Sequence, residues 1–245
     1  MRKTILPAVA ALLFAVGAAG QVVLAHSRAG TRSSMDEGVL AALGGFRSLA
    51  AEVVWYRLDR LQEEGRFGEL VQLASILTWL EPHDSEVWAY SAWNLAYNVS
   101  VRMPREEDRW PWVREAIRLL RDEGLRWNPA DAALYRELAF MYELKIGVDD
   151  NDTAAHIYRG EWKKIVEDVA ARGAWGEIGM DRSVMTAVEK RYGVTDWTNP
   201  FATAVYFAHC GLACGDERQS PFLNTILKQS VRMYHEGPAR RGEAK

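Results

Sequence analysis

The feature that most constrains this chain is the spacing of its apolar residues from residue 46 onward. Apolar side chains recur every three or four residues, and each run stops near a glycine or a proline. This period places them on one face of an α-helix, whereas a half-buried strand needs strict alternation. No run of four to eight alternating β-branched residues lies between turn residues. We therefore predict an all-α fold. In the first helix the expected inward residues are Leu49, Val53, Val54, Leu58 and Leu61.

Capping residues and helix breakers set the expected helix bounds. Asp131 and Asn199 precede helical runs as N-caps, Pro200 suits a first helical position, and Gly193 suits a helix end. Either Asp152 or its neighbour Thr153 caps another run, and residues 173–179 read as a loop. The predicted helices cover residues 49–63, 67–80, 85–101, 106–122, 132–146, about 153–171, 181–192, 201–214 and 220–234.

The N-terminal segment predicts a membrane anchor. Arg2 and Lys3 precede residues 5–25, which carry no charge and are long enough to span a hydrocarbon core of about 30 Å at roughly 1.5 Å per residue. Small residues near positions 18–20 and 23–25 also fit a cleaved signal peptide. Both readings send the later residues across the membrane and leave the basic terminus inside. The expected divisions are the anchor or signal segment 1–27, a tether 28–45, a helical domain 46–236 and a disordered tail 237–245.

The charge balance argues against nucleic acid as a partner. The net charge is −3, and the first 32 residues contain four cations and no acid, so the remainder carries −7. Phosphate contacts require a basic patch. An acidic domain of this kind does not fit a nucleic-acid-binding protein.

Residues 64–82 (EGRFGELVQLASILTWLEP) resemble the second half of a tetratricopeptide repeat. Gly65, Phe67, Leu80 and Pro82 match the turn glycine, the aromatic and the closing positions in register. A second approximate copy covers residues 85–129, and a third starts at Asp131. The resemblance implies an α-solenoid of degenerate helix-hairpin repeats over about residues 46–172, followed by irregular C-terminal helices. Leucines replace the small residues of the family pattern at positions 58, 70 and 77.

A longer stretch, LGGFRSLAAEVVWYRLDRLQEEGRFGELVQLASILTWLEP followed by VWAYSAWNLAYNVS, is similar to a group of membrane-anchored bacterial repeat proteins with no assigned role. This resemblance implies a single-pass protein of the bacterial inner membrane with its helical domain in the periplasm. Secretion to the periplasm after signal cleavage is the alternative.

The chain carries no recognised catalytic motif, so we do not expect an enzyme or a cofactor. His209, Cys210 and Cys214 do not form a zinc set, because the histidine points about 100° away from the two thiols on a helix. The acidic residues 149–152 lack the spacing of a calcium loop and fit a helix start instead. The sequence therefore predicts no metal site.

The best site candidates lie on the first helix of each predicted pair, which lines the concave face in such arrays. Amides could hold a peptide backbone there and cations could meet acidic groups. Asn94 and Asn98 could equally hydrogen-bond internally. The candidate partner-binding residues are Arg57, Arg60, Ser91, Asn94, Asn98, Arg136 and Lys145.

The predicted function is a non-catalytic scaffold that binds a membrane-associated protein or peptide outside the cytoplasm. The alternative is a structural subunit of a larger envelope or membrane protein complex, in which the aromatic surfaces would be permanently buried against other subunits.

Overall fold

The structure is a computed structural model that describes residues 46–148 and 152–237. Across these residues it contains nine α-helices and no strand, which confirms the all-α prediction. None of the helices described is long and apolar enough to cross a membrane. The predicted anchor, the predicted tether and residues 238–245 of the predicted tail lie outside the described residues.

The chain divides into two compact units between Val87 and Trp88. In the first unit, helices α1 (Phe46–Glu63) and α2 (Phe67–Leu80) pack against each other as a hairpin. Gly65 makes the turn with φ of 69°, a conformation that favours glycine. The core of this hairpin consists of Leu58, Leu61, Leu70, Leu77 and Leu80.

The outer face of α1 differs from the sequence expectation. Val54, Leu58 and Leu61 are buried as predicted, whereas Leu49 is 51% exposed and Val53 is 37% exposed. The two exposed residues lie on the opposite side of the helix from the buried ones, because each residue turns the helix by about 100°. One face of α1 therefore packs in the hairpin, and the accessible face carries Leu49, Val53 and Tyr56 beside charged residues.

The third helix begins at the end of the first unit and continues into the second. It starts as α3 (Ser85–Trp93), widens to a π-helical segment (Asn94–Val99) and tightens at Ser100–Arg102. Helices α4 (Trp110–Arg118) and α5 (Ala132–Phe140) also continue into π-helical segments. Those segments are Leu119–Gly124 and Met141–Gly147. The predicted single helix 85–101 is therefore three joined helical forms, and the predicted helix 132–146 is two.

Four further helices complete the second unit. The Asn199 side chain accepts a hydrogen bond from the Phe201 N–H as the predicted N-cap of one of them, and Asp181, predicted as the first residue of a helix, is instead the N-cap of another. A short 3₁₀ helix (Trp175–Ile178) replaces part of the predicted loop. The four helices are α6 (Ala155–Arg172), α7 (Arg182–Tyr192), α8 (Pro200–Ala213) and α9 (Ser220–Glu236).

Helix α8 is the centre of the second unit. Most of its residues are buried, and it packs against α5, α7 and α9. Gly211 allows this close approach, because a Cβ there would lie 2.8 Å from Leu223 and 2.9 Å from Tyr135. Helix α5 is thereby fixed along one side and keeps the opposite side accessible to solvent. That accessible side carries the candidate site.

Candidate functional site

The seven predicted site residues fall in both units. Arg57 and Arg60 lie on the exposed face of α1, and the Arg60 guanidinium donates a hydrogen bond of 3.3 Å to the Tyr56 hydroxyl. The other five residues belong to the second unit. They lie on α3, α5 and the π-helical segments that follow these two helices: Ser91, Asn94, Asn98, Arg136 and Lys145.

The polar residues Ser91, Asn94 and Asn98 of α3 and the segment after it face the interior of the protein more than the solvent. Ser91 and Asn94 are buried, and Asn94 is 1% exposed. The Asn94 amide donates to the Tyr90 carbonyl at 3.0 Å, and the Asn98 amide donates to Asn94 Oδ1 at 2.6 Å. This burial does not fit the expected role of Ser91 and Asn94 as peptide contacts, because a side chain closed to solvent cannot reach a partner. Asn98 is half-buried at the end of the same chain of hydrogen bonds.

The two π-helical segments of α3 and α5 shape the surface between these helices. In the first, the Ser100 N–H reaches back five residues to the Leu95 carbonyl. Such widened turns are rare and frequently lie at functional sites, since they change the direction of the side chains that follow. At the end of the second, Gly147 leaves room for the Phe201 ring, which would lie 2.7 Å from an added Cβ. The widened segment of α5 is therefore pressed closely onto α8.

A pocket of about 240 Å³ opens where these two helices meet. Trp93 supplies part of its wall and is 40% exposed. The Trp93 ring stacks on Tyr97 at 4.2 Å and lies 6.1 Å from the Phe140 ring at an angle of 25°. The pocket is thus apolar at its accessible end. We call it the aromatic pocket, and it is lined by Trp93, Tyr97, Phe140, Leu144, Lys145 and Asp152.

A buried ionic network closes the inner end of the aromatic pocket. The Lys145 ammonium lies 2.6 Å from Asp152 Oδ2, and Arg109 Nη1 lies 2.9 Å from Asp152 Oδ1. Asp152 also accepts hydrogen bonds from the Tyr158 hydroxyl at 2.8 Å and the Ala154 N–H at 3.0 Å. The expected N-cap residue is therefore mainly a counter-ion that joins α4, α5 and α6.

The titration of this network follows from burial and pairing. Burial lowers the pKa of Lys145 from its usual value, although the hydrogen bond to Asp152 opposes this. Burial would raise the pKa of Asp152, but hydrogen bonds from Lys145, the Ala154 N–H and Tyr158 outweigh it and lower that pKa to about 2. The Lys145 ammonium also lies 5.0 Å from the Tyr97 ring centre. Its charge is stabilised by π-electrons and by a carboxylate of the same chain.

Arg136 lies on the same accessible face of α5, one helical turn before Phe140. Its Nη2 is 2.5 Å from Glu137 Oε1, and its Nη1 donates to Gln219 Oε1 at 2.6 Å. The guanidinium carbon lies 5.7 Å from the centre of the Phe222 ring, which is 58% exposed. Arg136 and Lys145 both have carboxylate partners within the chain, so the idea that they meet acidic groups of a ligand is not supported by their pairing.

Sequence reasoning missed the aromatic residues of this site. The signal was present, because Trp93 and Tyr97 are four residues apart, as are Phe140 and Leu144, and such pairs share a helix face. Each pair could equally have been packed inside the protein. Only the packing of α3 beside α5 shows that the two pairs face a common space.

The cysteine and acidic candidates do not assemble a metal site in the part of the chain that is described. No group of three or more histidine, cysteine or acidic side chains is placed to hold a metal ion within residues 46–148 and 152–237. Cys210 and Cys214 are free, half-buried thiols, and burial raises the pKa of Cys210 to about 11. Residues 149–151 of the acidic run lie outside the described residues.

Comparison with known proteins adds no relative. No family model matches the chain, and neither a curated protein nor a solved structure matches it. The candidate site therefore rests on its own geometry.

Proposed function

We propose that this chain is a non-catalytic, tetratricopeptide-repeat-like scaffold of the bacterial inner membrane, anchored by residues 5–25, that binds a protein or peptide on the periplasmic side. The binding site in this proposal is the aromatic pocket. The single observation that carries it is the accessible Trp93 ring, which stacks on Tyr97 and lies 6.1 Å from the Phe140 ring in the wall of a pocket of about 240 Å³.

The arrangement of this pocket suits a side chain of a partner. Its volume is large enough for one aliphatic or aromatic side chain, and tryptophan and tyrosine are enriched among the residues that dominate binding energy at protein interfaces. Both rings are held by packing, so little side-chain entropy is lost on binding. The charged groups at the inner end are satisfied within the chain, which leaves the apolar walls as the main source of affinity.

Selection of a random peptide library displayed on phage against the full-length chain in detergent tests this proposal. We expect enriched peptides that share an aromatic or large aliphatic residue. Their affinity should fall about thirtyfold in Trp93→Ala, which corresponds to roughly 2 kcal/mol for a residue central to binding. The matched control is Tyr56→Ala, because Tyr56 is an aromatic residue that is 66% exposed on α1. Peptides that bind the wild type, Trp93→Ala and Tyr56→Ala equally would contradict the proposal, as would a failure to enrich any peptide.

A second candidate function is a structural subunit of a larger membrane complex. The observation that favours it is the apolar stripe on α1 formed by Leu49, Val53 and Tyr56, which is exposed in the structure. Large exposed apolar patches are typical of permanent interfaces. Chemical crosslinking in intact cells, followed by mass spectrometry, tests it. A stoichiometric complex crosslinked through α1 supports this function, and crosslinks through α3 and α5 alone oppose it.

A further inference from the structure

Helix α1 presents apolar and basic side chains together on its accessible side. Each residue turns a helix by about 100°, so five exposed residues of α1 fall within an arc of roughly 100°. This arc points away from the residues that pack in the hairpin. Tyr56 is the most accessible of the five, at 66% exposed. We call this surface the α1 stripe, and it consists of Leu49, Val53, Tyr56, Arg57 and Arg60.

The exposed acidic side chains of α1 lie beside the α1 stripe and outside it. Glu52, Asp59 and Glu63 all lie on the same flank, about 70° to 110° from the middle of the stripe. When the stripe faces a flat surface, these carboxylates therefore point sideways or away from that surface. The surface meets two cations of this helix and no acid.

The two arginines of the α1 stripe differ from their neighbours in the first unit. Arg47 and Arg66 both pair with carboxylates of the chain, whereas no carboxylate among the described residues lies within 4 Å of the guanidinium nitrogens of Arg57 or Arg60. Arg60 instead donates a hydrogen bond of 3.3 Å to the Tyr56 hydroxyl. The α1 stripe therefore has two positive charges that can meet an anionic group.

This combination of side chains is typical of a helix at a membrane surface. A tyrosine ring lies among lipid headgroups with its hydroxyl toward water, and an arginine keeps its alkyl stem on apolar groups while its guanidinium meets phosphate. Amphipathic helices of this kind lie in the plane of the interface. Each cation near an anionic membrane surface strengthens binding by about fivefold.

The place of α1 in the chain would keep the α1 stripe close to a bilayer. Residues 5–25 are the proposed anchor, and only the twenty residues 26–45 separate it from α1. A random coil of that length has a root-mean-square span of about 25 Å. The anchor would thus hold α1 at a high local concentration beside the membrane, so a weak contact is enough to dock it.

The size of the α1 stripe favours lipid over another protein as its occupant. A stable protein interface takes about 20 to 30 residues from each side. The α1 stripe offers five residues by itself. A bilayer requires only shallow entry of the apolar side chains, because the anchor supplies most of the binding energy.

We propose that the α1 stripe docks on an anionic phospholipid bilayer, with Leu49, Val53 and Tyr56 among the headgroups and Arg57 and Arg60 against lipid phosphates. This inference rests on the membrane anchor of the proposed function. It adds a second membrane contact, through which the first unit lies on the bilayer surface.

Photo-crosslinking of the full-length chain in lipid vesicles tests the inference. Benzoylphenylalanine takes the place of Tyr56 in one chain and of Gln72, an exposed residue of α2, in the matched control. The vesicles contain seven parts phosphatidylcholine to three parts phosphatidylglycerol. We expect at least fivefold more phospholipid adducts at position 56 than at position 72 by mass spectrometry, since the two helices of the hairpin together are about 20 Å across.

Charge variants test whether lipid phosphate is recognised. Arg57→Gln combined with Arg60→Gln should lower the yield of lipid adducts at position 56 by at least about fivefold, and vesicles of phosphatidylcholine alone should lower it similarly. Arg66→Gln is the matched control and should change the yield less than twofold, because that guanidinium lies outside the α1 stripe and is paired with Glu64 and Glu69. A yield that is the same in all these chains and vesicles would overturn the inference.

Flotation of the vesicles in 1 M salt separates this inference from the anchor on which it rests. A chain that floats with the vesicles but gives equal lipid adducts at positions 56 and 72 keeps the anchor and overturns the docking of α1. Crosslinks between two copies through position 56, in place of lipid adducts, would overturn it as well. If the chain is lost from the vesicles in 1 M salt, the anchor and the docking of α1 both fail.

Discussion

Lys145 Nζ lies 2.6 Å from Asp152 Oδ2, and both side chains are only 3% exposed. Asp152 also pairs with Arg109 and accepts a hydrogen bond from the Tyr158 hydroxyl. One carboxylate therefore satisfies donors from the residue before α4, from the segment after α5 and from α6. A buried pair of this kind gains little net stability over apolar residues, but breaking it leaves charge buried without a partner. The main effect of the network is therefore to fix how these helices pack against one another, and its net contribution to stability is small.

Replacing Asp152 should destabilise the fold strongly. We expect Asp152→Asn to lower the free energy of unfolding by about 3 kcal/mol, because Lys145 and Arg109 lose their shared counter-ion. Urea denaturation followed by circular dichroism measures this. Asp168→Asn is the control, since that carboxylate pairs with Arg172 at the surface and its loss should cost less than about 1 kcal/mol.

Lys145→Met gives the reciprocal measurement. It should cost less than Asp152→Asn, because Asp152 keeps Arg109 and Tyr158 as partners and methionine fills most of the space. Equal losses in the two variants would show that Lys145 is the only important partner of Asp152.

Asn94 and Trp93 are neighbours in sequence, and their substitutions should have opposite effects. Asn94→Ala should lower the free energy of unfolding by about 1 kcal/mol, because Asn98 loses its acceptor, and should leave the affinity for selected peptides within twofold. Trp93→Ala should instead weaken peptide binding and change stability by less than about 1 kcal/mol, since its ring is partly exposed. Equal losses of affinity in both variants would show that the Asn94 side chain contributes to peptide binding.

Much of the fold could be predicted from local signals. Gly65, Gly193 and Asn199 end or begin helices as predicted, because the backbone conformation or cap at each position depends on a few neighbouring residues. The π-helical widenings at 94–99 and 141–147 were not predicted, since the apolar period that marks a helix is the same whether its turns close over four residues or five.

The candidate site was predictable only in its location. The sequence predicts contacts on helices 85–101 and 132–146, and the aromatic pocket lies between these two helices. The sequence indicates polar residues as ligand contacts, because a polar side chain on an otherwise apolar helix has no visible partner in a sequence. Asn94, Arg136 and Lys145 instead satisfy internal partners, and a sequence gives no distance between Lys145 and Asp152 or between Arg136 and Glu137.

Alanine substitutions at two helical glycines should have opposite effects on the free energy of unfolding. Gly211→Ala should lower the free energy of unfolding by about 1 to 3 kcal/mol, because its Cβ would lie under 3 Å from Leu223 and Tyr135 in the packed core. Gly160→Ala, in α6, meets no atom within 4 Å and should raise stability by about 0.5 to 1 kcal/mol through higher helix propensity. Thermal and urea unfolding measure both. Stabilisation by Gly211→Ala would show that α8 is less closely packed than the structure indicates.

Glu143 should make stability fall as the pH rises. The side chain lies in the segment after α5 and is 3% exposed, and its Oε1 has no hydrogen-bond partner among the described residues. Burial raises the pKa of Glu143 from 4.5 to about 7, although the Ser230 hydroxyl opposes this. The folded state therefore holds the proton that the unfolded chain releases above pH 4.5. The free energy of unfolding should decrease between pH 4.5 and 7 and then level off, with a total loss of about 3 kcal/mol from this group.

Glu143→Gln removes this dependence while keeping the shape of the side chain. The variant should match the wild type at pH 4 and be more stable by about 3 kcal/mol at pH 8, because the amide stays neutral where the carboxyl must ionise inside the fold. Other titrating groups, including Asp152, are common to both chains, so the difference between them isolates Glu143. Urea unfolding at a series of pH values measures it, with Glu107→Gln, an exposed carboxylate, as the control that should differ by less than about 0.5 kcal/mol throughout. A variant that is equally stable or less stable than the wild type at pH 8 would mean that ionised Glu143 has a favourable partner in the folded protein.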